Sequence, residues 1–197
     1  MSFGLDPTNS GYGEDRTPQV INSALEAVGR IPGVVSVAAT TDPELMGDNV
    51  LHGYTIEGHT FSEGEDSSFE SPNITAGYFA TLRQPVLAGR EFTIADAKGT
   101  AKVAVVNLAF AKRFFGTPQN AIGHLIVQDA KPGEKPDTAI VGVVGNSRHT
   151  DLRTELGPAV YIPYAQREHP VGVQIYVQTT PVARGERGFD PEGDSRS

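Results

Sequence analysis

The 197-residue sequence contains no cysteine and no tryptophan, and only 2 methionines. Without cysteine there is no disulfide framework, no thiol nucleophile and no thiolate metal site. Long apolar runs are missing as well. The best of them, Val103–Val106 and Ile140–Val144, are strand-sized and far short of the roughly 20 residues that a membrane-crossing helix needs. The N-terminus, Met1-Ser2-Phe3-Gly4-Leu5, lacks a basic stretch followed by an apolar one, so no secretory signal is expected in this chain and any export address would lie outside it. Positive charge is sparse and unclustered, with 16 Lys and Arg against 24 Asp and Glu and a net charge of −8. The acidic excess is N-terminal: residues 1–100 carry 14 acidic against 5 basic side chains, residues 101–197 carry 10 against 11. Such a chain repels phosphate backbones, so neither nucleic acid nor an anionic lipid surface is expected as a partner.

What is present is enough for a core. Hydrophobic residues make up 38% of a chain long enough for one large domain or two small lobes. The 22 glycines and 14 prolines follow no period and point to many turns and short strands rather than to a helical bundle. A first strand is expected at Phe3–Asp6. A helix then starts with Thr17 as N-cap and Pro18 in its first turn, with Val20, Ile21, Ala24, Leu25, Val28 and Ile31 forming an apolar stripe. Pro32-Gly33 ends it before a strand from Val34 to Ala39, which makes residues 3–40 one β-α-β unit with a right-handed crossover.

Residues 42–66 read as an acidic, glycine-rich loop around one strand at Tyr54–Glu57. Thr75 is expected to cap a short helix, Ala76–Leu82, that Pro85 stops, followed by an extended segment at Val86–Gly89. Strand Lys102–Val106 runs into Asn107, which caps a helix Leu108–Phe115 closed by Gly116. Ile122–Gln128 and Thr138–Val144 form a long hairpin, and Val160–Pro163 and Val173–Thr179 complete the strands. Residues 181–197, rich in Gly, Arg, Asp and Glu, have the composition of a disordered tail or an artificial end.

Residues with chemistry to offer are scattered. Gly142-Val143-Val144-Gly145-Asn146 follows a strand, but its spacing is not that of a dinucleotide cradle, and the phosphate-loop lysine is missing. Arg148, His149 and Asp151 occupy a loop after a strand, where a general base and an anion clamp could sit, yet such triplets mostly make turn hydrogen bonds. His52 and His59 amid Glu57, Glu63, Glu65 and Asp66 are the one conceivable metal cluster, and their spacing matches no defined site. His124 and His169 stand apart. Ser62 has no nucleophile elbow, and the loop carboxylates read as solvated charge. Tyr78, Phe79, Phe110, Phe114 and Phe115 fall at helical spacing and read as core. No catalytic, cofactor-binding or metal-binding residue is assigned.

Five segments in register carry a resemblance. They are Ile31-Pro32-Gly33-Val34-Val35-Ser36-Val37; Asn73-Ile74-Thr75-Ala76-Gly77-Tyr78-Phe79-Ala80-Thr81-Leu82 with Pro85 and Gly89-Arg90-Glu91-Phe92; Val103–Asn107 through Ala111-Lys112-Arg113-Phe114-Phe115 to Ile122-Gly123; Ile140–His149; and Pro158–Tyr164. Together, over residues 17–179, they resemble the periplasmic core domain of MacB-like ABC-transporter permeases, in particular the orphan-permease group. The resemblance implies an α+β fold with a β-α-β membrane-proximal lobe (residues 1–45), an inserted mixed α/β lobe with a small, mostly antiparallel sheet (46–168) and a return strand (169–180).

It implies an extracytoplasmic part of an inner-membrane protein that transmits conformational change and contacts cargo or partner proteins, with no catalysis or cofactor of its own. Its implied partners are the membrane helices and ATPase of the same transporter, with homodimeric assembly in the full transporter and an adaptor left open. It also implies a second β-α-β unit after Val173–Thr179. That unit is not in the sequence, so the lobe is expected to be incomplete, swapped or completed by another copy. Two further readings stand beside this one: an independent small-molecule or peptide-binding module, which requires a concave apolar pocket, and a hydrolase using the His149/Asp151 loop.

Overall fold

The computed structural model describes residues 1–42, 51–131, 133–146 and 157–180. Eleven strands share one hydrogen-bonded sheet, in the order β1 (Ser2–Leu5), β11 (Val173–Thr179), β2 (Val34–Thr40), β5 (Asn73–Ile74), β10 (Val160–Pro163), β7 (Val103–Asn107), β9 (Thr138–Val144), β8 (Leu125–Gln128), β3 (Leu51–Ile56) and β4 (Ser68–Glu70), with β6 (Val86–Gly89) paired to β9. All pairings are antiparallel except β5 with β10 and β7 with β9. The α+β class and the mostly antiparallel sheet are therefore as the sequence implies.

The chain begins with β1 (Ser2–Leu5), α1 (Thr17–Gly29) and β2 (Val34–Thr40). A direct β-α-β pairing is not what forms, because β11 (Val173–Thr179) lies between β1 and β2, antiparallel to both. The apolar stripe of α1 explains its docking. Ile21 is fully buried on Val173, Ile175 and Val177 of β11, with Ala24, Leu25 and Val28 beside it. Burying Ile21 contributes about 2 kcal/mol. Two details differ from the sequence reading. Thr17 is not the cap: its amide and its hydroxyl both donate to the Gly13 carbonyl, so a helical turn is already under way before it. Ile31 lies beyond the helix and is exposed.

β3 (Leu51–Ile56) pairs with β4 (Ser68–Glu70) on one side and with β8 (Leu125–Gln128) on the other. The central strand is β7 (Val103–Asn107), flanked by β9 (Thr138–Val144) and β10 (Val160–Pro163). Its continuous β-branched content reflects burial on both faces. Ala104 and Val106 enter one core with Phe69, Phe110 and Ile126, while Val103 and Val105 enter another with Tyr78, Phe79 and Tyr161. A parallel bridge from Glu70 to Ala159 brings β4 back beside β10. β10-β7-β9-β8-β3-β4 thus curl closed around the first of these cores.

The helix α3 (Leu108–Phe115) follows β7 and is capped as expected, with the Asn107 side-chain oxygen accepting from the Phe110 amide at 2.9 Å. Asn146 adds a second cap by accepting from the Ala109 amide at 2.9 Å. α4 (Pro118–Ala121), capped by Thr117, is followed by a turn at Ile122 and Gly123, so the strand expected from Ile122 starts only at Leu125. The other short helix, α2 (Tyr78–Thr81), is not capped by Thr75. That hydroxyl accepts from the Ala39 amide of β2 at 2.8 Å, and so ties β5 (Asn73–Ile74) to the first part of the sheet.

β6 (Val86–Gly89) lies against β9 so closely that neither Gly89 nor its cross-strand partner Gly142 has room for a Cβ. It leads into a bidentate ion pair, in which Arg90 grips the buried Asp96 carboxylate at 2.7 and 2.8 Å while the Thr93 amide donates to it at 2.8 Å. The Arg90 guanidinium, aided by Thr93, holds the Asp96 carboxyl at about 2, against an ordinary 3.8. Since the folded value lies below the unfolded one, this pair stabilises the fold fully above the ordinary value and loses its contribution as pH falls toward 2. Urea titrations should show the parent more stable than Asp96→Asn at neutral pH, with the difference shrinking between pH of about 4 and about 2. A difference that stays constant across this range contradicts the assignment.

Candidate functional site

A cleft of about 340 Å³ with polar chemistry lies at the end of the curled strands opposite α3. Its lining follows the strand order, from Asn73 of β5 through Ile162, Val103, Thr138 and Gln128 to Tyr54 of β3. These residues meet because the curl closes. The Tyr54 hydroxyl lies 2.6 Å from the Ser71 hydroxyl, just before β5, and 3.3 Å from the Gln128 side-chain oxygen. Burial pushes the Tyr54 phenol well above its usual value, so it stays a neutral hydrogen-bonding group.

The rim is charged with both signs. Lys102 pairs with Asp137 at 2.6 Å, a hydrogen bond that raises the ammonium and lowers the carboxyl. Gln166 spends its amide on the Val103 amide and the Ala101 carbonyl, fastening the segment after β10 to β7. Arg167 beside it donates through Nε to the His169 carbonyl at 2.6 Å. This lining is more polar than that of most small-molecule pockets, with its apolar part formed by Val103, Ile126 and Ile162.

The sequence candidates are dispersed. Arg148, His149 and Asp151 lie outside the described residues, as do residues 181–197. His52 pairs with Asp129 at 2.6 Å, His59 with Glu65 at 3.2 Å, His124 with Glu57 at 3.7 Å and His169 with Glu14 at 3.2 Å. No group of three or more metal-holding side chains occurs among the described residues.

The loop around Glu63–Asp66 is not simply solvated charge. Arg113 of α3 reaches it, donating to Glu65 Oε1 at 3.2 Å and to the Asp66 carbonyl at 2.8 Å, with its guanidinium over the rings of Phe69 and Phe114. His59 stacks edge-on with Phe61 and Phe114. These contacts dock the loop on α3. Gly142 and Gly145 serve strand contact rather than phosphate binding: the Gly145 amide donates to the Pro85 carbonyl at 2.8 Å.

The two ends of the described chain meet. Met1 and β1 run beside the last residues of β11, with Ser2 opposite Tyr176 and the terminal nitrogen donating to the Val177 carbonyl at 3.2 Å. Ends that lie close together at the surface are common in domains. No helix among the described residues is long and apolar enough to cross a membrane.

An α+β fold with one curled, mostly antiparallel sheet is the class that the structure defines. The chain belongs to the MacB-like periplasmic core domain family, whose model matches residues 4–187; this is a domain of ABC-transporter permeases, carried on the outer side of the membrane. No curated protein matches the chain.

Among solved structures it is similar to the periplasmic region of MacB from Actinobacillus actinomycetemcomitans, at 16% identity and TM-score 0.54, over 83% of this chain and 66% of that one. It is also similar to the extracellular domain of the noncanonic ABC-type transporter YknZ from Gram-positive bacteria, at 19% identity and TM-score 0.50, over 80% and 71%. A domain of a permease protein from Porphyromonas gingivalis matches at 12% identity and TM-score 0.50, over 81% and 61%. At these identities the likeness is one of fold. The chain spans about two thirds of the length of these regions.

Proposed function

We propose that this chain is the moving extracytoplasmic part of an ABC-transporter permease, which passes conformational change from the membrane to cargo or partner proteins and catalyses nothing itself. The observation that carries this reading is the meeting of the two chain ends on β1 and β11, within a fold of the MacB-like family. Both attachments then pull on the same strand pair, so a displacement of membrane helices moves the domain as a lever instead of stretching it.

In this reading β1, α1, β2 and β11 form the membrane-proximal lobe, with residues 46–168 as the inserted lobe. The partners are the membrane helices and ATPase of the same transporter, and a second copy of it. The test is a distance measured by pulsed dipolar spectroscopy in the full permease. A spin label on exposed Lys98, introduced as the only cysteine of this domain, should change its distance from the bilayer between nucleotide-free and nucleotide-trapped states.

A further inference from the structure

The cleft at the open end of the curled sheet contains polar groups that the fold does not use. Asn73 is only 8% exposed, and its side-chain amide makes no hydrogen bond among the described residues, although it lines the cleft. The amide faces the cleft, where solvent reaches it, so a ligand can bond to it without breaking a hydrogen bond of the fold. Arg167, half-buried on the same wall, spends only Nε on the His169 carbonyl; its terminal nitrogens make no hydrogen bond among the described residues, and its charge acts on Asp42. The free acceptors are of the opposite sign. Glu168 has no hydrogen bond or ion pair among the described residues, and Glu134 commits only Oε2, to the Lys131 amide. The floor between them is apolar, formed by Val103, Ile126 and Ile162.

We infer that this cleft binds a small zwitterion of the α-amino-acid or short-peptide type. The free Arg167 nitrogens take the carboxylate, the carboxylates of Glu134 and Glu168 take the ammonium, Asn73 serves an amide or carboxylate edge, and the floor accepts a small apolar side chain. The chemistry excludes the main rivals. A phosphate-bearing polyanion meets Glu134, Asp137 and Glu168, and a bare divalent cation meets Lys102 and Arg167 in a place without a cluster of metal-holding side chains. The cavity, about 340 Å³, falls within the range of small-ligand sites. The site stands on its own residues and does not depend on the permease reading.

The test is nuclear magnetic resonance titration of the chain with alanyl-alanine, N-acetyl-alanyl-alanine and alanyl-alaninamide. The free dipeptide should saturably shift the Asn73 and Gln128 side-chain amide signals, and each blocked form should bind about tenfold more weakly, as expected for the loss of one charge-assisted contact. Arg167→Gln should weaken binding of the free and N-acetyl forms and leave the amide form unchanged. Asn73→Ala removes no hydrogen bond of the free protein, so its melting temperature should stay near the parent's while dipeptide affinity falls. Absence of saturable shifts at millimolar dipeptide, equal binding of all three compounds, or affinities unaffected by both substitutions would overturn the assignment. A free amino acid such as alanine that binds as tightly as the dipeptide identifies the ligand as a single residue; a tenfold preference for the dipeptide identifies a peptide.

Discussion

Gly142→Ala is expected to destabilise the protein by about 3 kcal/mol or more, because the new methyl group overlaps backbone that no rotamer change can relieve. The Cβ would run into the Arg90 carbonyl, and would crowd Val105 Cγ2 at 3.2 Å. Gly142 sits opposite Gly89 in the β6–β9 pairing, where Gly89 at φ +67 would drive its own Cβ into the Val141 carbonyl. The strands approach this closely because β6 must deliver Arg90 to Asp96 while Gln84 and the Pro85 carbonyl hold Gly145. Gly123→Ala is the control. Its φ of +90 is unfavourable, but nothing lies within 4 Å of the added carbon, so the cost should be about 1–2 kcal/mol from backbone strain alone. Urea midpoints that rank the two substitutions equally would contradict the close approach of β6 and β9.

Asn107→Ala should cost about 3 kcal/mol, the sum of a lost helix cap near 1 kcal/mol and buried backbone groups left unpaired. One side chain serves three backbone groups. Its oxygen accepts from Phe110 at 2.9 Å and from Ala159 at 3.1 Å, and its nitrogen donates to the Gly157 carbonyl at 2.8 Å. Asn107 is 4% exposed, so water does not replace these partners. Asn107→Asp keeps both acceptor contacts but sets a carboxylate oxygen against the Gly157 carbonyl, so it should be less stable than the parent, and the more so as pH rises and the carboxyl ionises. A loss near 1 kcal/mol for alanine would mean that only the cap matters and that the tie from β7 to β10 carries no weight.

Local chemistry made much of this fold legible. Thr138–Val144, Val160–Pro163 and Val173–Thr179 form strands with the bounds that their β-branched content and turn residues indicate. Asn107 and Gly116 bound α3 as a cap and a positive-φ stop should. The Thr-Pro dipeptide shows where local signals end. Thr117-Pro118 starts α4 with the Thr117 hydroxyl accepting from Asn120 at 3.3 Å, whereas Thr17-Pro18 falls inside a turn that Gly13 has already begun. The same two residues differ because the backbone before them differs.

The resemblance implied that residues 169–180 return to the first lobe, but their place between β1 and β2 was not legible. It depends on pairing residues about 170 positions apart, which no local pattern encodes. The cleft was hidden for the same reason. Asn73, Arg167, Glu134 and Glu168 share no motif, and they meet only because the bridge from Glu70 to Ala159 closes the curl. The one signal that could have singled out Asn73 is an amide in a strand too short to use it.

The meeting of the two chain ends makes the lever account testable at a single distance. In the full permease, with one spin label at Lys98 and a second anchored in the lipid headgroups, the distance distribution should shift as a whole when nucleotide is trapped. A label pair within the domain, at Lys98 and Glu26, should keep its distribution. That outcome shows the domain moving as a body with the helices that hold its ends. Identical Lys98-to-bilayer distances in both nucleotide states, in a permease that still transports, would contradict it.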